Sequence, residues 1–178
     1  MLIRPAEPAD AAAVAAVYGH HVLHGLGTFE ETPPSAEEMA RRMAAVAATG
    51  LPWLLAEEGG RALGYAYAAP FRPRAAYRYT AEDSVYVAPD AQGRGVGRAL
   101  LQAIVAACEA RGLRRLTALI GDTGNTASIA LHAACGFERA GLLPAVGFKH
   151  ERWVDAVWMQ RALGDPAAPL GPGLTLEG

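Results

Sequence analysis

The stretch VYVAPDAQGRGVGRALL, Val85 to Leu101, sets Gly93, Gly95 and Gly97 at alternate positions, with Arg94 and Arg98 beside them, directly ahead of an apolar run. Glycines let backbone N–H groups approach an anion closely, and a helix opening just beyond them adds unpaired N–H groups and the positive end of its dipole. The two guanidinium groups add charge-assisted donors. On these residues alone, a phosphate-binding loop and a tight strand-to-helix turn with solvated arginines both fit. The spacing is not G-x-G-x-x-G and no Gly-Lys-Ser/Thr follows, so neither a dinucleotide fingerprint nor a Walker loop is present.

Three other groups of residues could do chemistry. Glu82, in YTAEDSVYV, lies three residues ahead of Val85, so a regular pleat turns the two to opposite faces; Asp83 points away from Glu82. His132 brings an imidazole, a group that ordinarily titrates near neutrality. PFRPRAAYRYT packs Arg72, Arg74 and Arg78 among Phe71, Tyr77 and Tyr79. Arginine pairs bidentately with carboxylates and other oxyanions, and aromatic rings wall such a pocket. The plainer alternatives are a solvent-facing carboxylate, a hydrogen-bonded core histidine and a solvated loop.

The elements that must position these residues follow from periodicity. MLIRPA reads as a first strand, and a helix follows from a cap at Asp10 through Val14, Val17 and His21 or Val22. Ser35 with Glu38 three residues on resembles a capping box for a second helix through Met39 and Met43. WLLAEE, GGR and ALGYAYAAPF predict a hairpin, and YTAEDSVYVAP a further strand ending at Pro89. Leu100, Leu101, Ile104, Val105 and Cys108 form the apolar stripe of a helix that stops near Gly112. RRLTALIG reads as a strand covered on both faces, and Asn125 or Thr126 caps a helix running to Gly136. Two more strands around an irregular bend close the pattern. The expected class is α/β, one domain over residues 1–163 on a mixed sheet. Residues 164–178, rich in Pro and Gly with little to bury, read as a disordered tail.

Composition bounds the function classes. The 178 residues suit one domain with a sizeable core. A net charge of −2 supplies no global basic field for nucleic acid. The N-terminus shows no signal-peptide pattern and no segment approaches a membrane span, so a cytoplasmic protein is expected. Cys108 and Cys135 have no metal-like spacing and read as reduced, buried thiols; no metal is expected.

The loop in its setting resembles the Q-x-x-G-x-G/A motif of the GCN5-related N-acetyltransferases, with Gln92 opening the signature. NTASIALHAACGF is similar to the family's second cofactor segment, and the resemblance runs from LIRPAEPAD to WMQRAL. It implies a central strand pair that splays, a bulged strand, helices on both faces, and acetyl-CoA as co-substrate. Val85, Tyr86 and Val87 would contact the pantetheine arm and acetyl group. Gly93, Arg94, Gly95, Val96, Gly97 and Arg98 would wrap the pyrophosphate, with Asn125 and Ser128 as further cofactor contacts.

Within the family, the chain is similar to the phosphinothricin and methionine sulfone acetyltransferase-like branch. There Glu82 matches the general base, and His132 stands where many members carry a tyrosine that protonates the departing thiolate. Phe29 in TFEETP matches a substrate-loop aromatic; Arg72, Arg74 and Tyr77 fall in the insert that forms part of the amino-acid site. VGFKHERWVD, with Lys149 and Trp153, is also similar to that branch. The resemblance implies a homodimer acetylating the α-amino group of a small amino-acid analogue. The alternatives are another amine (a protein N-terminus, a lysine or a polyamine) and a non-catalytic acetyl-CoA sensor.

Overall fold

The computed structural model describes residues 1–176. In chain order the elements are β1 (Leu2–Pro5), α1 (Ala11–His24), α2 (Ala36–Ala48), β2 (Trp53–Glu58), β3 (Arg61–Pro70), β4 (Thr80–Val87), α3 (Val96–Ala110), β5 (Arg115–Gly121), α4 (Thr126–Ala134), β6 (Glu138–Lys149) and β7 (Arg152–Ala162). The strands form one sheet in the order β1-β2-β3-β4-β5-β7-β6. Among the described residues only β4 and β5 run parallel, joined by the crossover through α3.

That parallel pair is short. It holds from Thr80–Arg115 to Glu82–Thr117 and then ends, while β4 continues to Val87 and β5 to Gly121. The two strands part at Glu82 and leave facing edges without ladder partners. The bulge expected in β4 is absent from its pairing with β3, which runs from Pro70–Ala81 to Gly64–Val87 without a register shift. The splay comes from divergence of β5. At the far end Gly64 lets the strands close up, since a Cβ there would stand 2.6 Å from the Tyr86 carbonyl oxygen.

The regular pleat decides which helix layer each β4 residue meets. Tyr86 packs edge-on against Tyr18 of α1 at 4.9 Å, whereas Val85 and Val87 lie beside Gly97 of α3. The helix α3 buries the predicted stripe of Leu100, Leu101, Ile104, Val105 and Cys108, together with Val96. Each such side chain contributes roughly 1.5–3 kcal/mol on burial, so this face anchors the crossover.

Local signals held unevenly. Ser35 caps α2, its Oγ accepting from Glu38 N at 3.1 Å. The Glu38 carboxylate turns to Arg42 and Arg41 instead of closing the box. Asp10 does not cap α1. Its carboxylate accepts two hydrogen bonds from Arg4 and one from Glu7 N, because a cation ahead of it competes for the same oxygens. The irregular bend lies inside β6, where Ala145 has φ 48° and the register shifts between Leu143 and Gly147. Beyond Leu163, backbone carbonyls of Asp165, Ala168 and Pro169 accept from Arg114, and Leu174 N donates to Arg78 O. No helix among the described residues is long and apolar enough to cross a membrane.

Candidate active site

Where β4 and β5 part, a cavity of about 720 Å³ opens, within the range of small-molecule sites. One wall is β4 from Asp83 to Val87, the other is β5 from Ala118 to Gly121, and α4 covers them with Asn125, Ser128, Leu131 and His132. The rim is the glycine loop. Gly93 and Gly95 take φ of 72° and 79°, a region that favours glycine, and a Cβ on either would meet open space. The helix α3 starts at Val96 with no side-chain cap, so its first N–H groups are free to receive an anion.

Every predicted cofactor residue lines this cavity except Arg94, whose guanidinium pairs with Glu58 at 2.6 Å. Arg98 is the loop arginine that lines the cavity. A bare donor-rich rim leading into a slot between two unpaired strand edges fits acetyl-CoA: a diphosphate at the rim, an amide-bearing arm along the edges. Asn125 caps α4, its Oδ1 accepting from Ser128 N at 3.2 Å.

Sequence reasoning missed His21. Its Nε2–H donates to Val87 O at 2.9 Å, and burial lowers the pKa of the ring, keeping it neutral on the cavity wall. His21 is one of three histidines on α1, and its helical spacing offered a place on the buried face without pointing to the cavity.

Glu82 occupies the last β4–β5 pair, at the apex of the splay and outside the cofactor cavity. Burial raises its pKa above the ordinary carboxylate value, Arg72 pulls it back, and Asp83 pushes it further up. The Arg72 guanidinium lies over the Phe71 ring at 4.3 Å and donates to Phe71 O. Phe71 in turn meets Tyr77 at 5.4 Å and Trp158 of β7 at 5.5 Å. Arg74 is exposed at the start of a one-turn 3-10 helix, Ala75–Tyr77, and Arg78 donates to Ala75 O and lies over Tyr79. Of the three insert arginines, Arg72 is the one whose charge reaches Glu82.

Asp83, which the pleat turns away from Glu82, faces His132. Its Oδ2 lies 3.1 Å from His132 Nε2, and both side chains are buried. The other ring nitrogen, Nδ1, is 2.8 Å from Ser128 O. Burial disfavours charge on His132, but the Asp83 bond and charge and the Ser128 carbonyl outweigh it, and its pKa moves up.

The loop between α1 and α2 is fixed from several sides. Tyr18 Oη contacts Thr28 Oγ1 at 2.7 Å and donates to Glu30, and Arg42 donates to both Glu30 oxygens. Lys149, only 1% exposed, donates to Thr28 O at 2.8 Å. These bonds press Phe29 onto Gly147 of β6. Phe29 thus packs on β6, whereas the insert leans on β7.

The family model for the acetyltransferase (GNAT) family matches residues 21–137, which contain the loop, the splay and α4. The chain belongs to the GNAT acetyltransferases. It is 55% identical over 169 residues to a phosphinothricin N-acetyltransferase of Alcaligenes faecalis, covering 94% of this chain and 86% of that one. A methionine sulfoximine/methionine sulfone acetyltransferase of Salmonella typhimurium is 38% identical over 169 residues, covering 95% and 98%. Among solved structures, the phosphinothricin acetyltransferase of Sinorhizobium meliloti in complex with AcCoA superposes with a TM-score of 0.92. It is 46% identical, with 97% of this chain and 94% of that one covered. The GNAT fold expected from the glycine loop and its neighbours is therefore the fold found.

Proposed function

We propose that this GNAT protein transfers acetyl from acetyl-CoA to the α-amino group of a small amino-acid analogue of the phosphinothricin or methionine sulfoximine type. The observation that carries the reading is the placement of Glu82 at the apex of the splay, with a cofactor-sized cavity on one side and Arg72 in its field on the other. An α-amino acid brings an amine and a carboxylate a few ångströms apart, and a carboxylate base beside a guanidinium meets that pair.

The chemistry then divides among the chain's residues. Arg72 pairs with the acceptor's carboxylate, with Arg74, Tyr77 and Phe29 as further pocket residues. Glu82 takes the proton from the ammonium group so that the nitrogen lone pair is free. Its raised pKa suits a base working near neutrality. The β4 edge beyond Glu82, unpaired by β5, turns backbone N–H groups toward the thioester carbonyl and stabilises the oxyanion that develops. His132 gives a proton to the departing thiolate. Gly93, Gly95, Val96, Gly97 and Arg98 hold the pyrophosphate, with Arg94 turned away to Glu58.

The assembly is read as a homodimer. Phe148 and Trp153 are 55% and 67% exposed on the β6–β7 hairpin, an apolar patch suited to a partner subunit. Two free, buried thiols suit a reducing cytoplasm.

A thiol-release assay with acetyl-CoA tests the reading, using phosphinothricin, methionine sulfoximine, methionine sulfone, a polyamine and a peptide amine. Release with the amino-acid analogues is expected. Release only with polyamines or peptides removes the acceptor assignment, and cofactor binding without release from any amine makes the chain a sensor.

A further inference from the structure

We infer that Asp83 is a positioning residue for acetyl transfer, holding His132 in the ring orientation and protonated form from which the departing thiolate takes its proton. The inference rests on the proposed role of His132.

Hydrogen-bond polarity makes the first point. The Ser128 carbonyl can only accept, so Nδ1, at 2.8 Å, carries a hydrogen and donates it. That leaves Nε2 facing Asp83 Oδ2 at 3.1 Å. A carboxylate oxygen and a bare ring lone pair repel at that distance, so the contact contains a proton. The proton belongs to the pair, whichever atom it sits on.

Burial makes the second point. The Asp83 side chain is fully buried, and its Oδ1 has no hydrogen-bond partner among the described residues. A carboxylate with one oxygen orphaned is costly to leave charged and unpaired, so the pair resists losing its proton. The surroundings do not reverse this. Glu82 adjoins Asp83 on β4, Cys108 faces it from α3, and Cys135 lies at the end of α4 with Arg98 acting on the thiol. Burial pushes the Cys108 thiol up to about 12 and raises that of Cys135, so both are neutral. Phe137 closes the remaining side, its ring edge-on to His132 at 5.1 Å.

Both residues also line the cofactor cavity, on its β4 and α4 walls. In the transfer step the amine nitrogen bonds the carbonyl carbon, and the C–S bond breaks with its electron pair on sulfur. The Nε2 proton moves to that sulfur and gives the free thiol. The pair is left as neutral His132 and the Asp83 carboxylate; Glu82, having passed the ammonium proton to solvent before the attack, holds the second proton that the nitrogen sheds as the amide forms. Return of one proton to the pair and loss of one from Glu82, through solvent, resets the site.

The test is the pH dependence of kcat in Asp83→Asn and His132→Gln. An amide still accepts a hydrogen bond from the ring but does not stabilise its charge. In Asp83→Asn the alkaline limb of kcat should fall at a pH lower by about one unit or more. Its kcat at pH 8 should drop about tenfold, with the KM for acetyl-CoA unchanged within about twofold. An acetyl thioester of a more acidic thiol, which leaves without protonation, should narrow that deficit.

A lower kcat with an unmoved alkaline limb would mean that Asp83 only supports the fold, and overturns the inference. Wild-type behaviour of Asp83→Asn beside a slow His132→Gln overturns the role of Asp83 and spares that of His132. Full turnover in His132→Gln removes the proton donor and this inference with it. Should Asp83→Asn fail to fold, imidazole nitrogen NMR on the wild-type protein decides. His132 is expected to keep its proton above the ordinary histidine range, and loss of it below that range overturns the inference.

Discussion

Phe29 packs against Gly147 of β6, so close that a Cβ on the glycine would collide with the ring. The contact joins the loop after α1 to a strand more than a hundred residues later, and Lys149 seals it by donating to Thr28 O. Gly147→Ala should therefore push Phe29 off the sheet. Steady-state kinetics should show the acceptor KM raised about tenfold or more, with the acetyl-CoA KM unchanged. Parallel rises in both constants would place Phe29 outside the acceptor site.

Glu82→Gln removes the proposed base while keeping the shape of the side chain. Turnover should fall about 10²- to 10⁴-fold, with acetyl-CoA affinity by calorimetry retained. In the wild type, burial raises the Glu82 pKa, so the carboxylate stays protonated to a higher pH than usual. Activity should be lost as pH falls through that raised value, and kcat/KM against pH should show an acid limb above the ordinary carboxylate range.

Arg72 and Arg74 separate by position. Because Arg72 pulls the Glu82 pKa down, Arg72→Ala should raise the acceptor KM and also move the acid limb to higher pH. Arg74→Ala, at an exposed turn, should leave the limb where it is. An Arg74→Ala profile shifted like that of Arg72→Ala would contradict this division.

The rim predicts cofactor affinity. Gly95 has φ 79°, so Gly95→Ala both strains the loop by about 1 kcal/mol and puts a methyl where the anion would sit. The acetyl-CoA Kd should rise more than about tenfold. Arg98→Ala should weaken binding and flatten its salt dependence, whereas Arg94→Ala, tied to Glu58, should change it little.

Ser35 tests local stability apart from the site. Ser35→Ala deletes the cap on Glu38 N and should cost about 0.5–2 kcal/mol, seen as a Tm lower by about 2–4 °C per kcal/mol in calorimetry.

Much of this protein was legible in its sequence because the signals are local. The Ser35 cap, the α3 stripe and the glycine loop each lie within a few residues of chain, where a period or a spacing records what the backbone must do. The order strand, glycine loop, apolar helix marked residues that line one cavity. Asp10 shows the limit even locally: the residue type suited a helix cap, but Arg4 took its oxygens.

Tertiary structure alone decided the rest. Asp83 and His132 meet across 49 positions, Thr28 and Lys149 across 121, and Arg94 turns away to Glu58 across 36. Such pairs leave no periodicity, because their partners are chosen by how a helix layer settles on a sheet. The pleat put Asp83 on the opposite face from Glu82, as its position required. Only the packing of α4 over the parted strands made that face the place where a histidine waits.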